Sequence, residues 1–285
     1  ENMGQIKKIY ENLTSTQLWF VVILIPMSSI APIMYHYGKN FSQQRLMERP
    51  DYESGKWIDF LPILYISPMF SIIKYCFKKG SQSFFIGKLS KKYKGATLDL
   101  KVYKSTRNFF KIFYFSGITM FGFYVLSETE FQSSLMFGNG DSKYLYSDWP
   151  FNTIPRYLKL YYMVGLSYHF EDGIAHFFHP IQNDFFEMLL HHYITIMLIS
   201  CSYMFSLWNV GIIVMIQMDN GDAVGGAMKA FMDFSPTPVI LINYLMILYS
   251  WIYFRDFVYL YEVIIEGAMT HKFTIGGGSS NIQLC

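Results

Sequence analysis

The stretch from Asp184 to Thr195 reads DFFEMLLHHYIT and places two adjacent histidines inside an apolar run. An ionisable side chain at the centre of a membrane-spanning helix costs about 2.5–3.5 kcal/mol even on lenient scales, so such residues usually line a cavity or a pathway. Neighbouring residues on a helix point about 100° apart, so His191 and His192 cannot easily share one metal or one proton. We therefore expect one imidazole to face a cavity while a neighbouring helix holds the other. The alternative is that both are hydrogen-bond partners between packed helices.

A second polar stretch follows, reading QMDNGD over residues 217–222. Its carboxylates, Asp219 and Asp222, are spaced to lie on one helical face. Facing an imidazole across a helix bundle, they would orient its ring or stabilise its charged form. They would equally bind an amine, and carboxylates opposite two histidines also suit a metal. The structural alternative is a helix end at the membrane interface, broken at Asn220-Gly221.

The composition around these stretches is that of a membrane protein. Hydrophobic residues make up 52% of the chain and charged residues 15%, against about 25% charge in a soluble domain. Apolar runs of roughly 20 residues are long enough to cross a bilayer. The candidates are 17–35, 109–126, 157–170, 187–205, 207–218 and onward, and 238–261. We predict an all-α, polytopic transmembrane helix bundle with six or seven spans, at roughly 20 residues per span.

Two apolar segments need separate interpretation. The run 17–35 is long enough to span and has no small-residue cleavage site after it, so we expect an anchor and not a cleaved signal peptide. The segment 59–77 is interrupted by Pro62 and Pro68. It either spans the membrane or lies in the interface as a broken amphipathic segment.

Charge is distributed unevenly along the chain. Nine Lys and Arg residues fall between 78 and 107, whereas the loop 127–155 carries acidic residues. By the positive-inside rule, we expect 78–107 to face the cytosol or an equivalent compartment. We interpret 78–104 as a basic loop near anionic headgroups; the alternative is a docking surface for an anionic cofactor such as coenzyme A. We expect no nucleic-acid partner, and a flexible tail over 266–285.

Metal chemistry is not expected. The three cysteines are far apart and fit no metal or disulfide spacing. A membrane di-iron enzyme with histidine boxes needs more histidine ligands than the seven in this chain. We therefore predict no metal site.

Many residues between 161 and 255 match a known motif. The matching positions are Tyr161, Tyr162, Met163, Leu166, Ser167, Asp184, Phe185, His191, His192, Thr195, Gly211, Asp219, Asp222, Lys229 and Arg255. This pattern resembles the longevity-assurance motif of the ceramide synthases, within the wider TLC-domain family. Upstream, Arg107 and the aromatic run 109–115 resemble, more weakly, the start of that domain. The resemblance predicts an N-terminal region over 1–104 and a TLC domain over 105–265.

The resemblance implies an N-acyltransferase of the endoplasmic reticulum that joins a fatty acyl group from acyl-CoA to a sphingoid base amine. It implies catalytic roles for His191, His192, Asp219 and Asp222. The substrate contacts it implies are Thr195, Tyr162, Lys229 and Arg255. Acyl-CoA would be a substrate, and no further cofactor is expected. An imidazole near neutral pKa can take the amine proton or accept the acyl group first.

The chain departs from the family pattern at four polar positions. Met218 stands where the family has His, Asn209 where it has Arg, and Gly165 and Gly226 where it has Glu. These losses favour a second hypothesis: a TLC-fold protein without this activity, serving as a structural or lipid-binding subunit of a membrane complex. The mitochondrial inner membrane is then the alternative location.

The chain also carries ionisable residues that the family lacks in this region. They are His169, Glu171, Asp172, His176 and His179. They form a rearranged site, contact another membrane subunit, or mark a span that ends early.

Overall fold

The computed structural model describes residues 30, 32–52, 55–127, 129–146, 149–178 and 185–269. Within these ranges the protein is helical and contains no β-strand, which confirms the predicted all-α fold. The helices are α1 (32–48), α2 (Ile63–Leu89), α3 (Gly95–Leu126), α4 (Leu158–Phe177), α5 (Phe185–Met204), α6 (Trp208–Phe231) and α7 (Thr237–Ser250). A π-helical segment, Trp251–Met269, continues α7, and short 3-10 turns lie at Trp57–Phe60, Ser134–Met136 and Ser142–Tyr146.

Most of the predicted spans coincide with helices. The runs 109–126, 157–170, 187–205, 207–218 and 238–261 fall in α3, α4, α5, α6 and the α7 continuation. The run 17–35 lies outside the described residues except at its end. Most of the predicted tail, from 270 onward, and His179 also lie outside them.

Three described helical stretches are long and apolar enough to cross a membrane: Trp57–Leu89, Gly95–Leu126 and Thr237–Ile265. The ambiguous segment 59–77 therefore belongs to a helix of spanning length. Pro68 is tolerated inside α2, as helix-breaking residues often are in membrane helices. Large apolar side chains are exposed along α2 and α7, for example Leu64, Ile72, Leu241 and Leu245. Such faces suit contact with lipid.

The predicted basic loop over 78–104 was wrong in its extent. Helix α2 continues to Leu89 and α3 begins at Gly95, so only a short turn separates them. At about 1.5 Å per residue, α2 is about 40 Å long, more than the ~30 Å hydrocarbon core. Lysine is a good helix former, and lysines beyond the hydrocarbon core lie in water. The helix therefore need not end where its charges begin.

The core forms where α3, α4, α5 and α6 meet. Helix α6 packs chiefly against α3, and α4 packs against both α2 and α5. Tyr161, Trp208 and Ile216 are fully or almost fully buried there. Small residues allow close approach of membrane helices. Gly211 is one example, because a Cβ atom at that position would collide with the Tyr162 hydroxyl.

A buried arginine joins α1 to this core. Arg45 is 2% exposed. Its guanidinium donates to the hydroxyl of Ser206, in the turn between α5 and α6, and, at 3.0 Å, to the carbonyl of Met204, the last residue of α5. Burial lowers the pKa of Arg45 to about 10, which leaves the side chain charged at neutral pH. The contact holds α1 against the end of α5, the helix that carries the histidine pair.

Candidate active site

The two adjacent histidines lie in different environments on α5. His192 is 4% exposed, whereas His191 is exposed. Their ring centroids are 5.7 Å apart. Only His192 is buried, and the expectation that one imidazole faces a cavity while a neighbouring helix holds the other stays a prediction.

The carboxylate nearest His192 comes from α4. The Nε2 atom of His192 lies 3.7 Å from Oδ2 of Asp172, and both side chains are 5% exposed. This distance is too long for a hydrogen bond. Within the described part of the chain, neither ring nitrogen of His192 has a hydrogen-bond partner. The imidazole is thus buried beside a carboxylate and keeps both nitrogens available.

Asp172 is held by two lysines from other helices. Lys74 on α2 lies 2.9 Å from Oδ1 of Asp172 and also pairs with Glu171. Lys111 on α3 lies 3.5 Å from Oδ2 of Asp172. The Ser71 hydroxyl donates to Oε1 of Glu171 at 2.8 Å.

These six residues from α2, α3, α4 and α5 are called the Asp172 cluster: Ser71, Lys74, Lys111, Glu171, Asp172 and His192. With His192 neutral, its two cations balance its two anions. Buried charges that are paired in this way are much less costly than isolated ones. Of the alternatives for the extra ionisable residues, the structure therefore favours a rearranged polar site for Glu171 and Asp172.

The other predicted carboxylates lie on α6. Asp219 is 5% exposed and Asp222 is partly buried. Among the described residues, no hydrogen bond or salt bridge joins either of them to His191 or His192. Lys111 links the two regions, because its charge interacts with both Asp172 and Asp222. The imidazole is therefore flanked by Asp172, while Asp219 remains a separate buried carboxylate.

Two of the predicted substrate-binding residues make structural contacts. The buried Tyr162 hydroxyl donates to the carbonyl of Trp208 at 3.3 Å and accepts from Ser202 at 3.3 Å. The Thr195 hydroxyl donates to the carbonyl of His191 at 2.8 Å. Tyr162 thus connects α4 with α5 and α6, and Thr195 bonds within its own helix.

Among the described residues, the other two form no hydrogen bond with the histidine pair. Lys229 is exposed in the last turn of α6. The Arg255 guanidinium lies 4.9 Å from the ring centroid of Trp251, and its Nε has no partner among the described residues. The roles predicted for all four residues stay predictions.

The four positions that depart from the family pattern are mostly enclosed. The Asn209 amide donates to the carbonyl of Leu145 at 3.3 Å. A Cβ atom at Gly165 would lie 2.7 Å from Cε of Met215. At Gly226 it would lie 3.2 Å from the carbonyl oxygen of Asn108. Glutamates at the two glycines would require these neighbours to move.

The remaining histidines of the region support the packing. His169 is 8% exposed and lies against the rings of Phe115 and Tyr168. The His176 imidazole donates to the carbonyl of Phe185 at 2.8 Å. No three His, Cys, Asp or Glu side chains form a group able to hold a metal in the described ranges.

Lys74 and Lys111 were not predicted as site residues. Each is a lone cation in or beside an apolar run. The rule that identified the histidines, that ionisable residues in a span line a cavity or pair with one another, applies to them equally.

Comparison with known proteins identifies the fold. Residues 104–281, more than half of the chain, match the family model of the TLC domain. The chain belongs to the TLC-domain family. Together with its apolar helices of spanning length, this makes it an integral membrane protein.

The resemblance to ceramide synthases is also confirmed. Ceramide synthase hyl-1 of Caenorhabditis elegans is 25% identical over 166 residues, which is 57% of this chain and 42% of that protein. Two Schizosaccharomyces pombe proteins are similar. Sphingosine N-acyltransferase lac1 is 25% identical over 50% of this chain and 36% of its own length. Sphingosine N-acyltransferase lag1 is 26% identical over 59% and 41%. The chain thus spans less than half the length of these relatives.

Proposed function

We propose that this TLC-domain protein is a ceramide-synthase-like N-acyltransferase that transfers a fatty acyl group from acyl-CoA to the amine of a sphingoid base. The observation that carries the proposal is His192: a buried imidazole with both ring nitrogens unbonded among the described residues, 3.7 Å from a carboxylate. The names of the related proteins favour the same reaction class.

In the proposed reaction, the amine nitrogen bonds to the thioester carbonyl carbon and the carbon–sulfur bond breaks. His192 takes the proton that the amine releases, and the proton leaves with the coenzyme A thiolate as a thiol. A neutral imidazole with an unbonded ring nitrogen can act as such a general base. Asp172 stabilises the imidazolium that forms, because it is the carboxylate beside that ring.

The α6 carboxylates receive a different role. In the described part of the chain, no Lys, Arg or His side chain lies within salt-bridge distance of Asp219. A buried carboxylate without a protein cation suits a sphingoid base that arrives as an ammonium ion. Asp219 takes the first proton from this ion, and the neutral amine then attacks the thioester and gives its second proton to His192. Asp222 interacts with Lys111, so we assign it to the link between the two carboxylate regions. We place the protein in the endoplasmic reticulum, with membrane lipids as its surroundings.

The test is an acyltransferase assay on the purified full chain, with mixed acyl-CoAs and sphingoid bases and detection of ceramide by mass spectrometry. The double variant His191→Ala/His192→Ala is compared with His36→Ala, which removes an exposed histidine on α1. We expect ceramide from the wild type and from His36→Ala and none from the double variant. No ceramide from folded wild type, with every acyl chain tried, would overturn the proposal and turn attention to a non-catalytic role in a membrane complex.

A further inference from the structure

A cavity of about 190 Å³ lies between α2, α3 and α4. A single water needs only about 15 Å³ by the same kind of measure, so the cavity has room for a ligand of several atoms. On each helix the lining residues are three or four positions apart, so they lie on one face of that helix. The lining includes Lys74 and Lys78 from α2, Arg107 and Lys111 from α3, and Asp172 and Ala175 from α4.

The lining is more basic than acidic once its ion pairs are considered. Four basic side chains and the two carboxylates of Glu171 and Asp172 line the cavity. Lys74 and Lys111 are paired with those carboxylates. Over the described ranges, Lys78 and Arg107 have no carboxylate within salt-bridge distance. Two basic side chains on the cavity wall therefore lack a salt-bridge partner in this part of the chain.

Tyr103 lies on the cavity wall together with these two cations. The Lys78 ammonium lies 5.2 Å from the ring centroid of Tyr103, and Arg107 lies on the same cavity wall as Tyr103, one helical turn further along α3. Lys78 is exposed and Arg107 is half-buried, so Lys78 lies at the mouth and Arg107 farther in. On α4, the small side chain of Ala175 lines the cavity together with Tyr168, Glu171 and Asp172.

We propose that this cavity binds a phosphate-bearing group, with Arg107 and Lys78 as its ligands. Arginine presents a planar set of donors that matches phosphate oxygens, and lysine adds a compact charge. The phosphate belongs either to a soluble thioester carrier such as coenzyme A or to the headgroup of an anionic phospholipid. The site is distinct from the proposed chemistry, but its inner wall includes Asp172, the carboxylate beside His192.

The test measures binding and needs no turnover. The purified full chain in neutral detergent is titrated with coenzyme A by calorimetry. In a second arm, its thermal stability is compared in nanodiscs of phosphatidylcholine with and without phosphatidic acid. The variants are Arg107→Gln and Lys78→Gln. The matched control is Lys88→Gln, which removes an exposed positive charge from the same end of α2 outside the cavity.

We expect Arg107→Gln to weaken binding by at least about tenfold, as the loss of a charge-assisted hydrogen bond does, and Lys88→Gln to leave it within about twofold. Lys78→Gln, at an exposed position, tests the site even if Arg107→Gln fails to fold. A cavity-dependent effect in the coenzyme A arm identifies the soluble carrier, and one in the phosphatidic acid arm identifies the lipid. The proposal is overturned if neither ligand binds, or if Lys88→Gln weakens binding as much as the cavity variants. An inactive protein that still binds through Arg107 would reject the acyltransferase and keep the phosphate site.

Discussion

Two carboxylates are equally buried in this helix bundle, and their surroundings differ. Asp172 on α4 lies 2.9 Å from Lys74, 3.5 Å from Lys111 and 3.7 Å from His192. Asp219 on α6 is just as buried, yet no basic side chain of the described residues lies within salt-bridge distance of it. Lysines thus neutralise the charge of Asp172, whereas Asp219 has no basic partner there, and we propose that a substrate amine is its partner.

Because of this difference, we expect the loss of the Asp172 carboxylate and the loss of the Asp219 carboxylate to have different effects. A buried ion pair adds little net stability, but removing one partner leaves the other charge buried without compensation. Asp172 therefore should be needed for folding. For Asp219, which has no salt-bridge partner among the described residues, the larger effect should fall on the proposed reaction.

The largest expected effect is a loss of stability when the Asp172 carboxylate is removed. Asp172→Asn should destabilise the protein by about 3 kcal/mol, near the low end for breaking a buried pair because Lys74 keeps Glu171 as a partner. Thermal unfolding in detergent measures it. The matched variant Asp219→Asn should lose less than about 1 kcal/mol. Equal melting temperatures for the two variants would remove the contrast.

The second prediction concerns activity and depends on the proposed function. Asp219→Asn should reduce kcat/KM for the sphingoid base by at least about tenfold, because truncating one partner of a buried charge pair costs 2 kcal/mol or more. Its KM for acyl-CoA should stay unchanged. Steady-state kinetics with each substrate varied in turn measures both quantities. An unchanged value for the base would mean that Asp219 does not hold the amine.

The third prediction asks whether the Tyr162 hydroxyl stabilises the helix packing or contacts the substrate. Because its hydroxyl connects α4 to Trp208 and Ser202, Tyr162→Phe should lower the free energy of unfolding by about 1 kcal/mol. Specific activity of the folded variant should stay within about twofold. A large loss of activity without a change in melting temperature would instead support the predicted substrate contact.

The smallest effect concerns a pair at the end of the bundle, between the second turn of α3 and the residues that follow α6. Asp233 lies 2.9 Å from Lys101 and accepts a hydrogen bond from Tyr93 at 2.8 Å. Burial alone would raise the pKa of Asp233, but Lys101 and Tyr93 hold it below its ordinary value. The stabilisation is therefore present above pH ~4, the ordinary Asp range, and is lost as the pH falls through the lower folded pKa.

Asp233→Asn should accordingly cost at most about 1 kcal/mol at neutral pH, and the difference from wild type should vanish in acid. Melting temperatures across a pH series measure this. Lys101→Gln should add nothing in the Asp233→Asn background if the pair is the cause. A difference that persists at the lowest pH would point to another source.

Much of the fold could be predicted from local pattern. Apolar runs of bilayer length located α3 and α5, and the adjacent histidines marked α5 as a helix with a buried ionisable residue, His192. Local pattern could not reveal that α2 continues through its lysines to Leu89. Lysine is compatible with both a helix and a loop, so only the tertiary packing decides whether these residues are helical.

The carboxylate that lies beside His192 could not be predicted from the sequence for a similar reason. Resemblance pointed to Asp219 and Asp222, but which carboxylate lies beside an imidazole depends on how α4 and α5 cross. Glu171 and Asp172 were recognised as unusual without being assigned. Lys74 and Lys111 are distant in sequence from Asp172, so their pairing with it is a tertiary property.

The most direct test of the account is the acyl-transfer rate of His192→Ala beside that of His191→Ala, both checked for folding by melting temperature. Removing a general base usually costs 10²–10⁴-fold, so His192→Ala should lose about that much. His191→Ala, which removes an exposed ring, should lose far less. Equal rates for His192→Ala and wild type would contradict the claim that the buried imidazole beside Asp172 performs the chemistry.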